Sequence, residues 1–225
     1  MFRIRHCLLS LFLVLFASMA FAAAAPEWQP SVERDGIKVW KRKIPESSVM
    51  AFRAETQMTT TLSGLMSLFY DLDGAPQWLD YTKRVTALQR DDAAREYVLL
   101  METVLPWPLS NRDAVIMGWW QQDAQTGTIN LRGKSAPRGR YPENPDYVRY
   151  YNMRSDFSFT PLGNGRVKVV MEGHADPGGN IPDWAINMLI QESPFRTLRN
   201  MRRVVTQEKY QKARFDGVQE PVATQ

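Results

Sequence analysis

Asp176-Pro177-Gly178-Gly179-Asn180-Ile181-Pro182-Asp183-Trp184-Ala185-Ile186-Asn187 opens the segment that decides the fold. The Pro-Gly-Gly run breaks whatever element precedes it. Asn180 then suits a helix N-cap, with Asp183 following closely and Pro182 in the first turn, where a missing N–H costs nothing. The helical pattern runs on to about Lys212, roughly 45 Å at 1.5 Å per residue, and Pro194 is expected to kink or break it. Trp184, Met188, Phe195, Leu198, Met201 and Val205 fall on one apolar face, while Arg196, Arg199, Arg202 and Arg203 occupy the opposite side. A helix that is apolar along one side must bury that side against another element.

The rest of the chain supplies a sheet for it. Ile37 to Lys41 reads as a strand opened by Gly36, behind a short helix or extended lead around Trp28. Met50, Phe52, Ala54, Thr56 and Met58 alternate with Ala51, Arg53, Glu55 and Gln57, a period of two that buries one face. Thr61 caps a helix carrying Leu62, Leu65, Met66, Phe69 and Leu72 on one side, and Asp73-Gly74 ends it. From Arg95 onward the pattern is β, with strands expected at Tyr97 to Val104, Ala114 to Gln121, Thr128 to Arg132, Tyr147 to Phe159 and Arg166 to His174. Gly163-Asn164-Gly165 is a hairpin turn, and Gly133 to Asn144, rich in Pro, Gly and Arg, a long surface loop. The fold class is therefore α+β: a curved antiparallel sheet wrapped around a long C-terminal helix.

Residues 1–24 read as a cleaved signal peptide. Arg3, Arg5 and His6 precede the apolar run Leu8 to Phe16, and Ala20-Phe21-Ala22 offers small residues for cleavage. The apolar run is shorter than the ~20 residues of a membrane span. A periplasmic or secreted location follows. Loss of that segment leaves 26 of the 28 basic residues against 24 acids, removes Cys7, and leaves His174 as the one histidine. The near balance of charge argues against nucleic acid as a partner. One histidine and no thiol leave neither a metal site nor a thiol nucleophile, so no cofactor and no catalytic residue is expected. Residues 27–212 form one domain, expected to be monomeric, and 213–225 a flexible tail.

Pro106-Trp107-Pro108-Leu109-Ser110-Asn111-Arg112-Asp113 resembles a signature of START (steroidogenic-acute-regulatory-protein-related lipid transfer) domains, particularly the phosphatidylcholine-transfer type. Asp176 to Asn187 is similar to the start of that family's last helix, and Asp35-Gly36-Ile37-Lys38-Val39-Trp40 to its early strand. The resemblance spans about Trp28 to Val205. It implies a helix-grip fold with a lipid-sized tunnel between sheet and helix.

The resemblance also implies which positions face that tunnel. Aromatic cavity walls of some members fall here on Met101, Ala114 and Met153. Period two then turns Leu99, Thr103, Arg112, Ile116 and Tyr151 inward, and Asp113 away. Trp184, Met188 and Phe195 complete the wall from the helix. Met101, Ala114 and Met153 offer no π-face to a quaternary ammonium, and the family's phosphate-binding arginine falls near Ala75. A less specific lipid, fatty acid or polycyclic ligand is expected, set against methionines that adapt to varied shapes.

Two readings of Arg112 stand open. Its guanidinium can receive a carboxylate or phosphate, or it can form a structural ion pair with Asp113, Glu102 or another nearby acid. The helix arginines are a solvated face or a contact for an anionic membrane surface. His174 and Glu172 share the outward face with Lys168, which gives them a surface role. A cavity enzyme of the polyketide cyclase type and a ligand-sensing interaction module are the alternatives to a lipid carrier.

Overall fold

A computed structural model describes residues 27–45, 47, 49–176 and 181–221. The expected signal peptide and the Asn180 cap lie outside them. Ten strands form one sheet: β1 (Gln29–Arg34), β2 (Ile37–Arg42), β3 (Ala51–Thr59), β4 (Thr82–Asp91), β5 (Glu96–Thr103), β6 (Arg112–Gln122), β7 (Ile129–Ser135), β8 (Val148–Arg149), β9 (Met153–Gly163) and β10 (Arg166–Ala175). Their order is β1-β2-β3-β10-β9-β7-β6-β5-β4, antiparallel at each step, with the two-residue β8 beside β6 in parallel. The sharp hairpins sit where the chain tolerates left-handed backbone. Asp35 and Gly36 turn β1 into β2, and Asn164 and Gly165 turn β9 into β10, all at positive φ.

The helix α1 (Leu62–Tyr70) starts where its cap predicts. Thr61 Oγ1 accepts from Gly64 N at 2.9 Å, and Leu62, Leu65, Met66 and Leu68 are buried. The carboxylate of Glu220 takes the amides of Leu62 and Ser63, at 3.1 and 2.6 Å. The sequence gives residues 213–225 the character of a tail; within it, Phe215 stacks edge-on against Tyr70, and Gln219 and Gln122 exchange hydrogen bonds of 2.7 and 2.8 Å.

The last helix differs from the unbroken rod expected. It comprises α2 (Asp183–Asn187), a single π-turn (Met188–Glu192), α3 (Ser193–Val204) and, after a break, α4 (Glu208–Gln211). Pro194 has no N–H for the usual bond four residues back. The preceding turn widens, and Ser193 N reaches Met188 O five residues away. Phe195, Leu198, Met201 and Val205 are buried in the core with Ile37, Val39, Ala54 and Met58, each worth about 2 kcal/mol of removed apolar surface.

Three strand readings change. The lead around Trp28 runs into strand β1. β4 went unread because only Val85 of its ten residues is buried: a charged edge strand carries no alternation. The expected strand Tyr147 to Phe159 is two, β8 and β9, separated by Tyr150 to Asn152.

The loop after β7 is strapped to the outer face of the sheet. Ala136 and Tyr141 pack with Val98 and Val115. Arg149 donates two hydrogen bonds to Asp113, at 2.6 and 2.7 Å, and a third to Pro142 O at 3.0 Å. Both charged side chains are almost wholly buried, 6% and 3% exposed, and the pairing raises the guanidinium pKa. Removing one partner strands the other charge away from water. Asp113→Ala is expected to lower stability by about 3–5 kcal/mol in urea unfolding, and the double replacement Asp113→Leu/Arg149→Met to cost clearly less.

Candidate functional site

The inner face of the sheet is incompletely covered. α3 packs on β2 and β3, α1 lies over β9, and two adjoining hollows remain over the strands between and beyond them. One encloses about 120 Å³ and the other about 160 Å³. A single water needs about 10–15 Å³ on a like measure, so the interior is not filled by its own side chains. Both hollows are lined by Leu79, Met101, Met153 and Ser155, which mark their junction.

The first hollow has apolar walls. Phe69 and Trp78 come from α1 and the turn after it, Val85 from β4, Leu99 from β5, Ile116 from β6 and Phe157 from β9. Its polar groups are few. Burial pushes the Tyr97 hydroxyl far above its ordinary range and raises that of Tyr70, so both are neutral at physiological pH. Gly118 makes room for the Tyr97 ring: a Cβ there would stand 2.5 Å from it. Arg90 lies at the exposed rim, bonded to Asp92 at 2.6 Å.

The second hollow is roofed by the last helix through Ile186, Leu189, Ile190, Pro194 and Thr197. A cluster of polar contacts latches this roof to the start of β4. Arg196 pairs with Asp80 at 2.9 Å and donates to Tyr81 Oη at 2.6 Å. The Tyr81 hydroxyl donates to Met188 Sδ at 3.0 Å, and the Asp80 amide to Thr197 Oγ1 at 3.2 Å. His174, assigned from alternation to the outer surface, lines this hollow at the end of β10, with Nε2 3.0 Å from Ser47 Oγ.

Of the residues expected to face the cavity, Leu99, Met101, Thr103, Ile116 and Met153 line it. Ala114 sits beneath the lining, fully buried opposite Met101. Tyr151 lies elsewhere: Arg138 stacks on its ring and its hydroxyl donates to Glu143. Trp184 is 49% exposed. Phe195 belongs to the packed core, with the Arg34 guanidinium 3.9 Å over its ring. Met188 meets Tyr81 without lining either hollow. The lining face of the helix is the neighbouring stripe, Ile186, Leu189, Ile190 and Thr197, which was visible in the sequence but passes into the polar Ser193 and Thr197 where the stripe chosen stays apolar to Val205. The arginine row is divided. Arg196 is tied to Asp80 and Arg202 to Asp35 O, while Arg199 and Arg203 stay exposed.

Arg112, expected in the cavity wall, lines neither hollow; it shares the inner face with Ile116 and stands directly across from Thr103. It is 4% exposed. Neither expected acid partners it, for Asp113 is held by Arg149 and Glu102 by Arg84 at 2.6 Å. Its Nη1 donates to Ser110 O, and its Nε has no partner among the described residues.

A sheet bent around a helix, with a hollow of this kind between them, defines the helix-grip class. The START domain profile matches residues 16–211, and the chain belongs to that family. It is 28% identical to the human phosphatidylcholine transfer protein over 189 residues, covering 81% of this chain and 85% of that protein. An uncharacterised protein of Pseudomonas aeruginosa is 26% identical over 180 residues, 80% and 87% of the two chains. The crystal structure of a STAR-related lipid transfer protein from Xanthomonas axonopodis superposes with a TM-score of 0.72 at 28% identity, covering 80% of this chain and 99% of that one.

The junction of the hollows is the place to block them. Met101→Trp adds bulk into open space, where overpacking strain is least. It is expected to lower uptake of a fluorescent fatty acid several-fold with little change in Tm, whereas Val104→Trp, on an exposed site, leaves uptake unaltered.

Proposed function

We propose that this chain is an exported lipid carrier, which holds the acyl portion of one lipid in the adjoining hollows and exchanges it at a membrane surface. The apolar hollow carries the reading, because open apolar space is costly to leave empty in water and is matched by hydrocarbon. Kinship with lipid transfer proteins supports it. The apolar walls of the first hollow suit carriage better than the templating of a cyclisation. The signal-like N-terminus supports export, and an exchange cycle asks for no second subunit.

Two exposed tryptophans support exchange at a membrane. Trp107 is 91% exposed in the turn that follows Thr103, and Trp184 precedes Ile186; both neighbours line the second hollow. Indole rings favour the bilayer interface. The exposed Arg199 and Arg203 add attraction to anionic headgroups. Choline selectivity is not part of the reading, since Met101, Ala114 and Met153 stand where a cage would need rings.

Gentle extraction followed by native mass spectrometry is expected to recover the protein with one bound lipid. Recovery empty, with no uptake of fluorescent fatty acid or phospholipid by the stripped protein, would overturn the carrier. Trp107→Ser is expected to slow lipid transfer between vesicles while leaving the amount bound at equilibrium unchanged, as followed by fluorescence dequenching.

A further inference from the structure

We infer that Arg112 is the receptor for the head of the ligand, and that this head is a compact, singly charged oxyanion: a carboxylate or phosphodiester attached to a long hydrocarbon. The inference rests on the carrier reading and narrows it to acidic lipids.

The register fixes where the guanidinium stands. Across β5 and β6, Leu99 opposes Ile116, Met101 opposes Ala114 and Thr103 opposes Arg112. Opposed residues share a face of the sheet, and Leu99, Ile116, Met101 and Thr103 all line the hollows. Arg112 is therefore the next inner-face residue on β6 beyond Ala114. On its other side β8 pairs Arg149 with Asp113 on the outer face, and the following residue, Tyr150, lines the second hollow. Burial raises the pKa of the Tyr150 hydroxyl, and the Arg112 charge opposes that rise. Thr103 and Tyr150 thus place two hydroxyls on the flanks of a buried cation.

That cation lacks the partner its burial demands. A guanidinium removed from water needs an anion and a full set of acceptors. Among the described residues the acids around it are taken, Asp113 by Arg149 and Glu102 by Arg84 on the outer side. Asp80, the one carboxylate among the described residues that lines either hollow, is held by Arg196. One backbone carbonyl accepts from Arg112, and Nε is left over. A ligand oxyanion would complete the set, with its hydrocarbon running past Met101 and Met153 into the first hollow. Four per cent exposure leaves little room at the guanidinium, which favours a small head over a zwitterion.

The test compares matched ligands on the delipidated protein. Oleate is expected to bind about tenfold or more tightly than oleyl alcohol, the worth of a charge-assisted hydrogen bond, and phosphatidylglycerol to outbind diacylglycerol if the anion is a phosphodiester. Acetate and inorganic phosphate alone should not compete at equal concentration, which separates a lipid head from a free anion. In Arg112→Met the preference should vanish while oleyl alcohol still binds. Equal binding of oleate and its alcohol by the wild-type protein, or an undiminished preference in Arg112→Met, overturns the inference and leaves the carrier standing; no binding of any of them overturns both. Should Arg112→Met fail to fold, the wild-type comparison and Arg112→Lys, expected to retain part of the preference, still decide.

Discussion

The constraint on which this structure turns is a mismatch of areas. A ten-stranded sheet presents more apolar inner face than one twelve-residue helix can cover. α3 spends its strongest face, Phe195, Leu198, Met201 and Val205, on the half of the sheet built from β2 and β3. α1 and Trp78 close part of the remainder. What lies between, over β5, β6 and β9, has walls but no filling, and the function follows from that gap. Close packing is the norm for protein interiors, so a domain that leaves such a space must be held open by something stiffer than its contents.

Stiffness comes from both faces of the same strands. Outside, the Asp113–Arg149 pair and the small cluster around Val115 clamp the loop after β7 onto β5 and β6. Inside, the contacts of Asp80 and Tyr81 with Arg196, Met188 and Thr197 hold the helix over the second hollow. The inner latch is the one that can yield. It is made of a part-exposed ion pair and single hydrogen bonds, weak against the buried bidentate pair outside, and it joins the element that roofs the hollow to the rest of the domain.

Much of this was legible from residue order. Thr61 with Leu62, Leu65 and Met66 announced α1, the alternation after Met50 announced β3, and Gly163-Asn164-Gly165 announced a hairpin, because each of these signals is local. Alternation, anchored by the family resemblance at Met101, Ala114 and Met153, also set Leu99, Thr103 and Ile116 toward the interior. β4 was invisible, since an edge strand with polar residues on both faces has no period to read. The lining face of the helix was missed for a different reason. Phe195, Leu198 and Met201 are the residues that the sheet packs against, which leaves Ile186, Leu189 and Thr197 for the hollow. Alternation already turned Asp113 away from Arg112; what residue order could not give is that Asp113 and Glu102 are claimed by arginines from elsewhere, Arg149 and Arg84.

The capping of α1 has a bearing on how the chain holds its shape. Thr61 satisfies one amide of that helix from within, but the amides of Leu62 and Ser63 wait for a carboxylate 158 residues downstream of Leu62. Without Glu220 those two amides are left to water, so the cap fastens the C-terminal segment to a helix that walls the first hollow.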